Sequence, residues 1–245
     1  MKLLIIVPAY NEEKFIAAVI DTVPSFVDKI YVVNDCSSDK TCSIVSNKAR
    51  ENSRIVLIDR NDRGGVGAAI ITGHRRALQE GMDILAVMAG DGQMAPSFLE
   101  NFVAPIAEGM AEYTKGNRLS SREHRKEMPV WRTFGNILLT NLTRIASGYY
   151  SVSDPQNGYT AISGETLKKL DLNRIEKGFA FENDMLVKLS CVGARVVDIP
   201  HPALYRGQNS KIRYSRFIVS TSWVLLKSYV WRIWIKHLTK SKNRV

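Results

Sequence analysis

The sequence has few cysteines, and none of them stands in a metal-binding spacing. Cys36, Cys42 and Cys191 are the only three in 245 residues, an odd number with no C-x-x-C pair. This argues against a disulfide framework and a zinc site, and it fits a reducing compartment. The apolar stretch at 2–7 is too short for the core of a secretory signal and has no small-residue cleavage site behind it. We therefore interpret it as the first buried strand.

Acidic residues are missing from the C-terminal part of the chain. The last one is Asp198, and residues 206–245 carry ten of the 34 lysines and arginines. Residues 1–205 hold 24 basic and 24 acidic side chains, so the net charge of +10 belongs to the tail. We predict a globular body at 1–212 and a basic, tryptophan-rich helical appendage at 213–245.

The tail also lacks an uncharged run that could cross a bilayer. A spanning helix needs about 20 mainly apolar residues, and the longest uncharged run here, 217–226, has ten. Tryptophans mixed with lysines and arginines are typical of a helix at a membrane surface. The alternative is packing on the body or on a second subunit of a homodimer. One straight helix would be poorly amphipathic, so we expect a kink or two short helices. Because no known nucleic-acid-binding motif accompanies the basic tail, we expect no nucleic-acid partner.

Short apolar runs alternate with longer segments of helical period along the body. The predicted strands are 3–7, 29–33, 54–58, 84–88 and 112–115, and the predicted helices are 12–23, 39–51 with Asp39 as N-cap, 67–79 and 96–108. This order predicts an α/β fold with a doubly wound, mostly parallel sheet flanked by helices. Ligands of such sheets bind beyond the carboxyl ends of the strands.

Polar residues follow four of the predicted strands. The glycines at 64–67 precede a helix and suit a phosphate cradle, although a plain tight turn remains equally open. They form neither a G-x-G-x-x-G nor a Walker sequence, which argues against a dinucleotide oxidoreductase and a P-loop ATPase. Asp91 and Gln93 offer oxygen ligands for Mg²⁺ or Mn²⁺ on a diphosphate, or form a solvated turn. Asp35 contacts a nucleobase or is a turn former.

The order of these motifs resembles the inverting glycosyltransferases of family 2, and within them the dolichyl-phosphate mannose synthase and polyprenyl-phosphate glycosyltransferase branch. The segments that carry the resemblance are 7–13, 33–39, 65–69 with Gly73, 88–93, 116–118, 154–159, 182–184 and 209–211. The resemblance covers residues 2–215. It implies a GT-A catalytic domain at 1–212 and a nucleotide-diphosphate-sugar donor.

The resemblance also implies which residues bind the donor. These are Pro8, Ala9, Tyr10, Glu12, Asp35, Gly67 and Asp91, with Asp91 and Gln93 holding Mn²⁺ or Mg²⁺. The chain departs from the family at one point, because the usual Asp-x-Asp reads Ala89-Gly90-Asp91. Without the first carboxylate we expect weak metal binding until the donor diphosphate supplies further oxygens.

On the acceptor side the resemblance implies two kinds of residue. Arg118 and Arg132 match positions near phosphate, and Asp154, Ser210 and Lys211 match positions that face the acceptor. Glu182 and Asp184 are further catalytic candidates, either as the base that deprotonates a hydroxyl acceptor or as caps of a helix predicted at 185–192. A lipid phosphate is already anionic and needs no such base.

The expected function is inverting, metal-dependent transfer of a hexose, most plausibly mannose from GDP-mannose, to polyprenyl or dolichyl phosphate. The enzyme would lie in the cytoplasm, peripherally attached to the inner face of the membrane. One alternative is a UDP-glucose or other UDP-sugar transferase that acts on a sugar hydroxyl of a glycolipid. A second alternative is a catalytically weak nucleotide-sugar-binding protein, which the missing carboxylate at Ala89 makes admissible.

Overall fold

A seven-stranded sheet forms the centre of the molecule. The computed structural model describes residues 1–120, 130–202, 204 and 214–242, including their side chains except at 130–134, 214–216 and 238–242. The strands are β1 (Leu3–Ala9), β2 (Lys29–Asn34), β3 (Ile55–Asp59), β4 (Ile84–Val87), β5 (Tyr113–Asn117), β6 (Thr160–Ser163) and β7 (Val196–Pro200). Their order is β3-β2-β1-β4-β6-β5-β7, and only β6 runs antiparallel to its neighbours in this described sheet. This confirms the predicted doubly wound, mostly parallel α/β architecture.

Both faces of the sheet are covered, which explains the unbroken apolar run of β1. Side chains alternate across a strand, so Leu3, Ile5 and Val7 enter one core cluster while Leu4 and Ile6 enter the other. Each such aliphatic side chain contributes about 1.5–3 kcal/mol on burial. The two clusters together fix the sheet between its helical layers.

Eight helices are described. They are α1 (Ile16–Asp21), α2 (Thr41–Glu51), α3 (Val66–Gln79), α4 (Leu99–Ala107), α5 (Val130–Ser147), α6 (Gly164–Lys168), α7 (Phe181–Cys191) and α8 (Tyr214–Lys242), with 3₁₀ turns at Pro96–Phe98 and Leu172–Arg174. The four helices predicted between strands are present. The N-cap prediction was wrong by one residue, since Lys40 occupies that position, but the Asp39 carboxylate still accepts from the Thr41 amide at 3.0 Å.

Two predicted helix bounds were wrong and two strands were missed, each for an identifiable reason. α1 begins only at Ile16, because the Glu12 amide is bonded to Thr41 Oγ1 at 2.8 Å in a loop between strands. β6 and β7 were missed, because β6 has only two apolar residues and β7 alternates in burial at a sheet edge. α7 begins at Phe181 and not at 185, so Glu182 and Asp184 lie inside its first turn.

The tail forms one helix, so the expected kink or helix pair was wrong. α8 packs on α5 and α7, with Leu225 buried beside Ala146 and Val187. Its mean amphipathicity is low because the inward face and much of the outward face are both apolar, as described below. In the part of the chain that the structure describes, no helix combines the length and the apolar character needed to cross a bilayer.

Candidate active site

The loops that follow β1 and β2 hold each other in place. The Asn11 amide donates to Ser37 Oγ at 3.0 Å, and the Ser38 amide donates to Asn11 Oδ1 at 2.8 Å. Asn11 and Cys36 have φ angles of 53° and 59°, in the left-handed region that few residues other than glycine adopt. Such residues cluster at ligand sites, where the surrounding structure holds the backbone in place.

The residues predicted to border the donor lie at this edge. Pro8, Tyr10 and Glu12 are partly exposed, whereas Ala9 is buried and offers its carbonyl to the Asp35 amide at 2.9 Å. The Arg63 guanidinium lies 4.0 Å from the centre of the Tyr10 ring. This cation and ring lie at the edge where the donor is predicted to bind. Sequence reasoning missed Arg63, because no motif spacing relates it to Tyr10.

Asp35 organises the glycine loop, which is the segment at 64–67. Its Oδ1 accepts from the Gly64 amide at 2.9 Å and from Arg60 Nε at 3.0 Å, and its Oδ2 accepts from the Gly65 amide at 2.8 Å. Arg60 in turn donates to Thr72 Oγ1 at 2.6 Å. The carboxylate thus fixes a turn, and its predicted contact with the base stays a prediction. Arg60 is a further residue that sequence reasoning missed.

The glycine loop packs too tightly to act as an open phosphate cradle. The Ala68 amide donates to the Lys177 carbonyl at 3.0 Å, and a Cβ at Gly67 would lie 2.8 Å from that oxygen. The amides of Gly64, Gly65 and Ala68 therefore already have acceptors, whereas an anion site needs amides that face the ligand. Between the two interpretations, the geometry favours the tight turn, with Gly67 permitting close approach of the chain at 176–178.

The predicted metal ligands lie on a short turn after β4. Asp91 Oδ1 accepts from the Gln93 amide at 3.0 Å, and both residues are partly exposed. In the described residues no three His, Cys, Asp or Glu side chains converge as a metal cluster. Two oxygen-bearing side chains fit a hard divalent ion that takes its remaining ligands from diphosphate and water. Asp91 and Gln93 can therefore supply only some of the ligands that such an ion needs.

Arg118 is held by a buried carboxylate at the end of β5. Its Nε donates to Asp154 Oδ2 at 2.7 Å and its Nη2 to Asp154 Oδ1 at 3.0 Å. Burial opposes ionisation of Asp154, but the charge and hydrogen bonds of Arg118 outweigh it and hold the pKa of that carboxyl below its usual range. Since Asp154 has no exposed surface, Arg118 is the member of this pair that a phosphate could reach.

The same carboxylate belongs to a wider buried network. Asn157 lies between Asp154 and His201, with Asn157 Nδ2 2.7 Å from His201 Nε2. His201 Nδ1 is 3.0 Å from the Pro202 carbonyl, which requires a donor there and makes Nε2 the acceptor. The ring also packs edge-on against Tyr159. This network fixes the chain where it leaves β7.

Glu182 is paired with a lysine that has no exposed side chain. Lys115 Nζ lies 2.5 Å from Glu182 Oε2, and Tyr113 Oη donates to the same oxygen at 3.4 Å. Burial, followed by the charge of Glu182, raises the pKa of Tyr113 well above its usual value. Glu182 Oε1 is buried and has no hydrogen-bond partner within the described structure. Lys115 therefore compensates the charge of the Glu182 carboxylate, and Oε1 of that carboxylate is left without a hydrogen-bond partner in the described structure.

Asp184 has both oxygens engaged. Oδ2 accepts from the Glu176 amide at 2.9 Å, and Oδ1 accepts from Ser228 Oγ at 2.5 Å and lies 3.4 Å from Lys188 Nζ. The side chain is almost completely buried. A general base must reach the proton that it removes, and this carboxylate is occupied by protein donors. Of the predicted pair, only Glu182 has an oxygen left for a ligand.

Comparison with known proteins decides the family. The model of "Glycosyl transferase family 2" matches residues 4–171. The chain belongs to glycosyltransferase family 2. The family and the enzyme class predicted from the sequence are thereby confirmed.

Named relatives of this glycosyltransferase act on lipid phosphates. The UDP-N-acetylglucosamine–dolichyl-phosphate N-acetylglucosaminyltransferase of Methanococcus voltae is 30% identical over 232 residues, which cover 87% of this chain and 92% of that protein. The undecaprenyl-phosphate mannosyltransferase of Micrococcus luteus is 30% identical over 205 residues, 82% of each chain. These relatives differ in the sugar that their names give.

Solved structures support the GT-A fold. Glucosyl-3-phosphoglycerate synthase from Mycobacterium tuberculosis, in complex with Mn²⁺, UDP-glucose and phosphoglyceric acid, aligns with a TM-score of 0.67. The alignment has 20% identity and covers 93% of this chain and 79% of that one. The GT-A fold predicted for this glycosyltransferase is confirmed.

Three predicted site residues cannot be placed by their side chains. Ser210 and Lys211 lie outside the described residues. Arg132 lies in the described backbone of α5, but its side chain is outside the description. Their roles at the acceptor stay predictions, as does the division of the chain at 212.

Proposed function

We propose that this glycosyltransferase transfers a hexose, with inversion, from a nucleotide-diphosphate sugar to a polyprenyl or dolichyl phosphate. The observation that carries the proposal is the state of the acidic pair on α7. Asp184 is engaged by protein donors on both oxygens, and Glu182 is neutralised by buried Lys115. A hydroxyl acceptor needs a base, whereas a phosphate acceptor brings its own negative oxygen.

The geometry of Arg118 also supports a phosphate acceptor. Arg118 is oriented by two hydrogen bonds from its guanidinium to Asp154, and a planar guanidinium binds phosphate oxygens well. In the proposed reaction a phosphate oxygen forms the bond to the anomeric carbon from one face. The bond to the donor diphosphate breaks on the other face, and the nucleoside diphosphate leaves with the electron pair. Arg118 holds the acceptor phosphate, assisted by Arg132 and Lys211.

A divalent ion fits the turn at Asp91 and Gln93. When bound, it neutralises the charge that develops on the leaving diphosphate. Because position 89 is alanine, the protein supplies fewer carboxylates than the family pattern, and we expect the ion and the donor to bind together.

For the donor we propose GDP-mannose, with UDP-sugars as the second candidate. The mannosyltransferase of Micrococcus luteus and the polyprenol monophosphomannose synthase of Mycolicibacterium smegmatis support mannose. The Methanococcus voltae relative and the UDP-glucose complex of the fold neighbour favour a uridine donor. The distinction lies in the base, which the strand-end loops around Tyr10 would contact.

The donor test is thermal stabilisation by GDP, UDP, GDP-mannose and UDP-glucose, each with and without Mn²⁺. A ligand at about 100 times its Kd adds about 2.7 kcal/mol, a rise in Tm of roughly 5–11 °C for a chain of this size. We expect a metal-dependent shift with one base only, lost in Asp91→Asn. If neither the guanine nor the uracil nucleotides raise the Tm, the proposed function is contradicted.

We also propose that α8 and α5 rest on the membrane that holds the acceptor. The outward stripe of α8 recurs every three or four residues and is apolar, where a helix in water is polar. Its members are Val219, Trp223, Leu226, Val230, Ile233 and Trp234, and α5 adds exposed Ile137, Leu138 and Ile145. Exposed Lys227 and Lys236 flank the stripe at 100° per residue. Cations beside an apolar stripe match an anionic bilayer surface.

The membrane test is sedimentation with vesicles of phosphatidylcholine alone or with anionic phosphatidylglycerol. We expect binding to the anionic vesicles, and at least a tenfold loss in the double variant Val230→Ser/Trp234→Ser. Met110 is 57% exposed, as Trp234 is, but lies outside the two helices. Met110→Ser is therefore the matched control and should bind as the wild type does. Equal binding of both variants would contradict the membrane surface.

A further inference from the structure

Asp184 connects α8 to the chain at 176–178, which covers the glycine loop. Its Oδ1 accepts from Ser228 Oγ of α8 at 2.5 Å, and its Oδ2 accepts from the Glu176 amide at 2.9 Å. All three contacting groups are buried or partly buried. The carboxylate therefore ties two segments that lie 52 residues apart, from 176 to 228, through one hydrogen bond to each of its oxygens.

The segment at 176–178 passes the constraint to the donor side. The Lys177 carbonyl accepts from the Ala68 amide at 3.0 Å, and its oxygen would lie 3.1 Å from a Cβ at Gly65. Gly65 is in turn bonded through its amide to Asp35 at 2.8 Å. A continuous chain of contacts thus runs from Ser228 through Asp184 and Lys177 to the glycine loop.

Two more contacts support the same connection. Lys188, one turn after Asp184, places its Nζ 3.9 Å from the centre of the Trp231 ring of α8. Phe217, near the start of α8, packs at a right angle against Phe179, with ring centres 6.5 Å apart. α8 therefore touches both α7 and the segment before it, and the Asp184 contact lies between these two aromatic contacts.

We infer that Asp184 and Ser228 are positioning residues, which hold the glycine loop of the donor site in place from the tail helix. This inference rests on the proposed function only in taking the glycine loop as part of the donor site. It gives Asp184 a role that is neither general base nor simple helix cap. It also makes the donor site depend on the helix that carries the proposed membrane face.

The first test follows backbone amides in the absence of any donor. We expect hydrogen exchange at residues 64–68 to quicken by about tenfold in Ser228→Ala, because a buried hydrogen bond to a charged group is lost. Thr221 is the matched control, since it lies on α8, is fully buried, and its hydroxyl has no hydrogen-bond partner in the described structure. Thr221→Val should leave that exchange unchanged. Equal exchange at 64–68 in Ser228→Ala and wild type would overturn the inference.

The second test uses UDP and GDP, each with Mn²⁺, as probes. We expect Ser228→Ala to weaken binding of the nucleotide that binds wild type by at least threefold at a temperature far below Tm, with a smaller change in kcat. A variant that only unfolds more easily would keep the wild-type Kd there, and that result would overturn the positioning role. If neither nucleotide binds wild type, the proposed function fails, while the exchange test still decides the connection.

Discussion

The buried pair of Lys115 and Glu182 gives the sharpest test of the chemistry proposed for α7. Lys115 has no exposed side-chain surface, Glu182 is 10% exposed, and their charged atoms are 2.5 Å apart. Removing one partner of such a pair leaves an uncompensated buried charge and costs about 3–5 kcal/mol. For a chain of this size that is a loss of roughly 6–20 °C in Tm. We therefore expect Glu182→Gln alone to be strongly destabilised.

The double variant Lys115→Met/Glu182→Gln separates stability from catalysis. With both charges gone, we expect urea unfolding to recover at least half of the lost free energy. Its kcat with a phosphate acceptor should stay within about tenfold of wild type, because no base is required, whereas loss of a general base costs about 10²–10⁴. Glu165→Gln, which removes an exposed ion pair with Lys168, is the control and should leave the urea midpoint close to that of wild type.

Two outcomes would refute this reasoning. Single variants that unfold within about 1 kcal/mol of wild type would show that Lys115 and Glu182 are not a tightly coupled buried pair. A well-folded double variant with kcat reduced by more than about 10² would show that Glu182 acts as the base. The second result would favour a hydroxyl acceptor.

Three further predictions concern stability and metal binding. Burial lowers the pKa of His74 from 6.5 to about 3. Because the unfolded chain takes up this proton at a higher pH than the folded one, the free energy of unfolding decreases as the pH is lowered from 6.5 to 3. The loss is about 2 kcal/mol at pH 5. Urea unfolding of His74→Leu should lack this part of the pH dependence, and an unchanged dependence would contradict it. Ala89→Asp should tighten Mn²⁺ binding without nucleotide by at least tenfold in calorimetry, whereas equal affinity would show that position 89 does not reach the ion. Gly67→Ala should cost about 1–3 kcal/mol, because its Cβ would lie 2.8 Å from the Lys177 carbonyl oxygen; a variant as stable as wild type in thermal unfolding would contradict that contact.

The sheet could be predicted because its central strands are apolar on both faces. β1 and β2 are almost entirely buried, so the sequence shows them as short unbroken apolar runs between helical segments. β6, which runs antiparallel between β4 and β5, escaped prediction because Thr160–Ser163 has only two apolar residues and shows no apolar run. β4 also has four residues but was predicted, because all four are apolar.

The site was predicted by position more than by contact. The strand order predicted Asp35 and Asp91 at one edge of the sheet, and they follow β2 and β4 there, whereas Glu182 lies in the first turn of α7 beside Lys115 of β5. Their partners could not be predicted, because Lys115 and Arg60 are charged residues far away in sequence whose burial depends on the fold. The tail was misjudged because a helix apolar on two sides has little net amphipathicity, although one side packs on α5 and α7.

The central claim is that a lipid phosphate, and not a hydroxyl, accepts the sugar. The most direct measurement is transfer of labelled hexose, from whichever donor stabilises the protein, to polyprenyl phosphate and to the matching polyprenol in the same vesicles. The account predicts label in the lipid extract with the phosphate alone, and loss of most of that label in Arg118→Ala. Label on the alcohol at a comparable rate, or on neither lipid, would contradict it.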